Sequence, residues 1–95
     1  MAMARAENTA AIAHMRRIYA ASTLDPGANI IAPRLAAVIV ILEDAAQSYQ
    51  GPGGNPLETL PGLKCAIQIL DRTRGVELGP AREHISAAYE LLSST

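Results

Sequence analysis

The chain has no phenylalanine and no tryptophan, and Tyr19, Tyr49 and Tyr89 are its only aromatic residues. Base-stacking platforms need aromatic faces, so binding of single-stranded nucleic acid is disfavoured. Cys65 is the one cysteine, so no disulfide can close within the chain. A lone thiol in an apolar helical run reads as a small hydrophobe and fits a reducing compartment. Charge is also scarce: 18% of the residues are charged, against about 25% in ordinary soluble domains. The net charge of −1 provides no strong field for nucleic acid or an acidic membrane surface. No apolar stretch approaches the roughly 20 residues that a membrane span needs. Met1-Ala2-Met3-Ala4-Arg5 carries no apolar signal-peptide core before Glu7 and Asn8. The expectation is a soluble cytoplasmic protein. Lys64 is the one lysine among otherwise arginine cations. With the abundant Ala, Gly and Pro, this suggests a GC-rich bacterial or phage coding sequence.

What the chain has is apolar residues, 49% of its 95. That length supports a single domain, residues 1–95, with one core. Seven consecutive apolar residues, Ala36-Ala37-Val38-Ile39-Val40-Ile41-Leu42, follow Pro33 and precede Glu43-Asp44. As a helix this run is apolar all round, and such a helix must be covered on every side. With so little charge to coat a small monomer, the excess predicts a surface patch that a partner covers.

Helical periodicity divides the chain into four segments. The first, about residues 5–22, carries Ala11, Ile12, Met15, Ile18 and Tyr19 at helical spacing, with Glu7, Asn8, Arg16 and Arg17 in other directions. Asp25-Pro26-Gly27 is a turn signal. The second spans about 33–49, with Pro33 suited to the first helical position and Gln50-Gly51-Pro52-Gly53-Gly54 as its stop. The third, about 56–74 with a break at 61–62, enters through Asn55-Pro56-Leu57-Glu58, a capping-box pattern. It carries a stripe of Leu60, Leu63, Ile67 and Leu70. Arg72 and Arg74 complement the dipole of its last turn, and Gly75 suits the position after the helix end. The fourth, about 80–93, carries Ile85, Ala88, Tyr89 and Leu92. Similar lengths and short joints predict an all-α fold, a compact antiparallel bundle of four helices with the second as its centre.

Signals for chemistry are sparse. His14, Cys65 and His84 fall on three segments without metal-ligand spacing, so no metal site is predicted. Glu43 and Asp44 are adjacent, hence about 100° apart on a helix, and read as the solvated end of the apolar run. No serine sits in a Gly-x-Ser-x-Gly elbow. Gly51-Pro52-Gly53-Gly54 lacks the Lys-Ser/Thr of a phosphate-binding loop. No catalytic residue and no cofactor follows from these patterns.

Ala13-His14-Met15-Arg16-Arg17 resembles, over those few residues, the motif of histidine phosphotransfer domains, which are helical bundles of similar size. Arg17 matches the basic residue three positions after the histidine, whereas Ile18 stands where that motif has glycine. The resemblance implies His14 as a phosphoryl acceptor. A further alternative is a dimeric DNA-binding regulator using the third and fourth helices, with Arg72, Arg74 and Arg82 as its cations. Against it, Glu77 and Glu83 put negative charge where phosphates would sit.

The reading that best accommodates the composition is a non-enzymatic protein-protein interaction module: an adaptor, an assembly subunit or an inhibitor, the last including a phage-encoded one directed at a bacterial host complex. Its partner is another protein, either a second copy in a homodimer or a larger complex. The expected contact residues are Ile30, Ile31, Val38, Ile41 and Leu42, with Tyr49 and Tyr89 as anchors that join apolar area to a polar tip.

Overall fold

A computed structural model describes residues 2–24, 30–49, 55–73 and 76–94. Four helices form among them: α1 (Ala2–Ser22), α2 (Ile31–Ser48), α3 (Leu60–Asp71) and α4 (Gly79–Ser93), with a 3-10 turn (Pro56–Thr59) leading into α3. Among the described residues there is no strand. The expected Asp25-Pro26-Gly27 turn, the stop at residues 50–54, Arg74 and Gly75 lie outside the described residues.

The helices close into a ring in which α1 packs on α2 and α4, and α3 packs on α2 and α4. Each neighbouring pair is antiparallel. Asn8 near the start of α1 reaches Leu42 near the end of α2. Ile41 meets Gly62 while Arg34 reaches Arg72, and Glu7 and His14 pair with His84 and Glu77 respectively. The all-α antiparallel bundle expected from periodicity is therefore the fold, but α2 is not its centre. A helix in a four-membered ring is covered by two neighbours and by the core, which leaves one flank bare. On α2 the core stripe is Leu35, Val38, Leu42 and Ala45. Pro33, Ala37, Val40, Asp44 and Gln47 recur three and four apart on the other side and are exposed. Val40, inside the seven-residue run, keeps 57% of its surface in water.

The core is built from Met15, Leu35, Val38, Leu42, Leu63, Ile85 and Leu92, all essentially without exposure, with Ala11, Ala66, Ala81 and Ala88 between them. The small residues bring helix backbones close, and the larger ones fill the interior to the density that proteins require. The expected stripes of α3 and α4 hold, with Leu60, Ile67 and Tyr89 half-buried at their edges. Asn8 departs from expectation. It continues the Ala4–Ala11–Met15 stripe of α1 and is 1% exposed. Its Nδ2 donates to the carbonyl of Leu42 at 3.0 Å, and its Oδ1 has no partner.

The break before α3 falls earlier than residues 61–62. Asn55 caps the 3-10 turn through Oδ1, which accepts from the Leu57 N–H at 3.1 Å. Pro61 then sits in the first turn of α3, where its missing N–H costs nothing. Gly62 follows it with Ile41 alongside: a Cβ there would lie 3.3 Å from Ile41 Cγ2. The glycine lets α2 and α3 approach, which is a packing role and not a helix break. At the start of α4, Glu77 Oε1 accepts from the Gly79 N–H at 3.0 Å, so this carboxylate is occupied in capping a helix.

Candidate functional site

The expected contact residues do not share one surface. Val38 and Leu42 are corrected: both are wholly buried in the chain's own core, and a partner could reach them only by opening the bundle. They lie in phase with Leu35 and Ala45, and that phase points inward. Ile30 is 69% exposed just before α2, whereas Ile31 and Ile41 are half-buried. Tyr49, at the end of α2, has its hydroxyl enclosed without a hydrogen-bond partner. Burial raises that hydroxyl's pKa above its ordinary value of 10.0, offset in part by nearby Thr59. The hydroxyl of Thr59 itself donates to the carbonyl of Pro56 at 2.6 Å. Tyr89 is half-buried on α4, which lies across the ring from α2 and is not its neighbour, so it does not extend the surface on the second helix.

The bundle does assemble a continuous surface along α2 and α3 that no single segment announces. Two shallow grooves run between these helices. One is lined by Pro33, Arg34, Ala37, Ile69 and Arg72. The other is lined chiefly by Ile41, Asp44, Ser48, Glu58 and Gly62. Val40 stands between Ala37 and Asp44 on the exposed flank of α2, and Cys65 between Gly62 and Ile69 on α3, each by helical spacing. The middle of the surface is thus apolar.

Its two ends carry opposite charge. Arg34 and Arg72 meet at one end, where an Arg34 Nη1–H donates to the Arg72 carbonyl at 3.0 Å. Asp44 and Glu58 line the other. None of these four side chains enters an ion pair among the described residues, where the pairs are Arg16–Glu43, Arg82–Asp71 and His84–Glu7. Exposed Cys65 belongs to this surface and not to the core that its apolar neighbourhood suggested. The charge pattern escaped sequence reading because Asp44 and Glu58 come from different segments, as do Arg34 and Arg72. Val40 lies out of phase with the inward stripe of Leu35, Val38, Leu42 and Ala45, a phase that a run apolar all round does not disclose.

The remaining chemistry-bearing residues are dispersed. His14 is half-buried against the start of α4, where its Nε2 donates to the Glu77 carbonyl at 3.4 Å. His84 Nδ1 lies 2.6 Å from Glu7 Oε2, linking α4 to α1. Among the described residues no group of His, Cys, Asp and Glu is placed to hold a metal ion. Of the arginines proposed for nucleic acid, Arg82 is engaged by Asp71 at 2.6 Å. Hydrogen bonding to that carboxylate, then its charge, raises the guanidinium pKa further. Glu43, half-buried on α2, pairs with Arg16 of α1, so the adjacent carboxylates Glu43 and Asp44 serve different surfaces. Among the described residues no helix is long and apolar enough to cross a membrane.

Compared with protein families, curated proteins and solved structures, the chain matches none.

Proposed function

We propose that this chain is a non-enzymatic protein-interaction module and that the outer surface of α2 and α3 is its contact face. The observation that carries the reading is exposed Val40, on the same flank of α2 as Ala37 and Asp44, beside two grooves whose ends carry charges that form no ion pair among the described residues. An apolar centre with a polar rim is the usual anatomy of a protein interface. An isolated exposed valine is ordinary; apolar grooves closed at both ends by charge that forms no ion pair among the described residues are not. The dispersal of His14, His84 and Cys65 over three parts of the bundle supports a binding role over catalysis. A single exposed thiol fits the reducing interior of a bacterial cell.

The test is a matched capture from the native host with the wild-type chain and a Val40→Asp variant, preceded by circular dichroism to establish that both fold. A protein, whether another copy or a different chain, that wild type retains and the variant loses supports the reading. Equal retention of the same proteins by both chains removes this face from the proposal, and no association by either removes the function.

A further inference from the structure

Resting on that reading, we propose that the occupant of the α2/α3 face is a second copy of this chain, docked antiparallel about a two-fold axis. The charge layout supports this choice. Arg34 and Arg72 share one end of the face, Asp44 and Glu58 share the other, and the ends have equal and opposite formal charge.

A two-fold partner can meet this face in two ways. With the axis along the helices, the arginine end of one copy lies on the arginine end of the other, and the acidic ends also coincide. Like charges brought together at an interface carry a heavy penalty. With the axis across the helices, every charge finds its complement: Arg34 of one copy faces Asp44 of the other, and Arg72 faces Glu58. An isologous contact repeats each pair, so one self-complementary patch yields four ion pairs around an apolar centre. Arg34 and Asp44 are ten positions apart, about 15 Å along a helix. Their midpoint lies beside Val40. On the third segment, the midpoint between Glu58 and Arg72 is residue 65. The axis therefore passes near Val40 and Cys65, setting Val40 against its twin and the two Cys65 thiols in proximity.

This arrangement also accounts for the absence of ion pairs at the four charges among the described residues of one copy. Neutralised internally, as Arg82 is by Asp71, they would encode no orientation. Left open at opposite ends, they specify the antiparallel pairing and reject the parallel one.

Sedimentation equilibrium of the wild-type chain should show a dimer. Arg34→Glu with Arg72→Glu makes both ends acidic, and Asp44→Arg with Glu58→Arg makes both ends basic. Each double variant alone should weaken self-association by about tenfold or more. An equimolar mixture should form a heterodimer with affinity near that of the wild type. A short bismaleimide should couple wild-type chains through Cys65, and Val40→Asp should abolish the coupling. The mixture guards against misfolding, since a chain that has lost its fold cannot recover binding from its complement.

A wild-type dimer that both double variants leave intact, and that bismaleimide does not couple, overturns the antiparallel pairing. A wild-type chain that stays monomeric at high concentration, yet captures a different protein that Val40→Asp loses, overturns self-pairing and preserves the contact face. A chain that neither associates nor captures anything overturns both.

Discussion

Asn8 offers the sharpest test of how the bundle is held together. Its amide is buried on α1, donates from Nδ2 to the Leu42 carbonyl at 3.0 Å and leaves Oδ1 without a partner. Asn8→Asp changes neither volume nor shape, so packing is preserved and only the hydrogen-bonding chemistry moves. An ionised carboxylate there has no proton for the Leu42 carbonyl, sets two oxygens against each other and gives up its hydration. A protonated carboxyl can donate as the amide does. The native state therefore binds a proton, and the folded pKa of the new group lies above the unfolded value of about 3.9.

The sign follows from linkage. A group with a raised folded pKa contributes fully below its unfolded pKa, and the contribution disappears as pH rises through the folded value. At pH 7 the cost is capped by taking up one proton, about 4 kcal/mol at 1.36 kcal/mol per pH unit. That is much of the roughly 5–15 kcal/mol available to a domain. On acidification from pH 7 to 5 the variant should regain up to about 2.7 kcal/mol relative to the wild type. Urea unfolding followed by circular dichroism, run on both chains at several pH values, reads this difference directly. A difference below about 1 kcal/mol at pH 7 that stays flat with pH would refute the reasoning, since it would mean that the site admits water to the carboxylate.

Other substitutions follow from the same geometry. Leu42→Ala should cost about 2–5 kcal/mol in urea unfolding, because the leucine is wholly buried and its removal leaves a cavity. Val40→Asp, two positions away on the bare flank, should change the stability of the isolated monomer by no more than about 0.5 kcal/mol when measured in dilute solution. Gly62→Val should destabilise by about 1–3 kcal/mol, because the added carbons press on Ile41 Cγ2 and overpack the α2–α3 contact. Tyr49→Phe removes an enclosed hydroxyl without a hydrogen-bond partner and should stabilise the chain by about 1 kcal/mol. Because the Tyr49 pKa is raised above 10.0, ionisation costs the native state more than the unfolded chain. Wild-type stability should therefore fall above pH 10 more steeply than that of the phenylalanine variant, as thermal melts at alkaline pH would show.

Most of the bundle was legible in the sequence because it rests on local chemistry. The positions of Asn55, Pro56 and Pro80 mark helix entries through a missing N–H or a capping side chain, whereas Pro33, expected at the first helical position, is the third residue of α2, which Ile31 opens. The three- and four-residue spacing of Leu63, Leu70, Ile85, Ala88 and Leu92 marks their inward faces. Those signals act within a turn or two of backbone, and they set the number and approximate extent of the helices. The interaction surface was less legible. Val38, Leu42 and Val40 are chemically alike, and a run that is apolar all round does not declare which side faces inward.

The sequence by itself determined four helical segments, the seams by which three of them pack and the shortage of charge that leaves apolar surface over. Only the tertiary structure decided that α2 lies in a ring and not at a centre, that Asn8 is enclosed, and that Val40 faces water. It also decided that Arg34 joins Arg72 while Asp44 and Glu58 line a common groove. The physical reason is that periodicity is a property of one helix. Burial and electrostatic polarity belong to pairs of helices, and they exist only once antiparallel packing has set distant segments side by side.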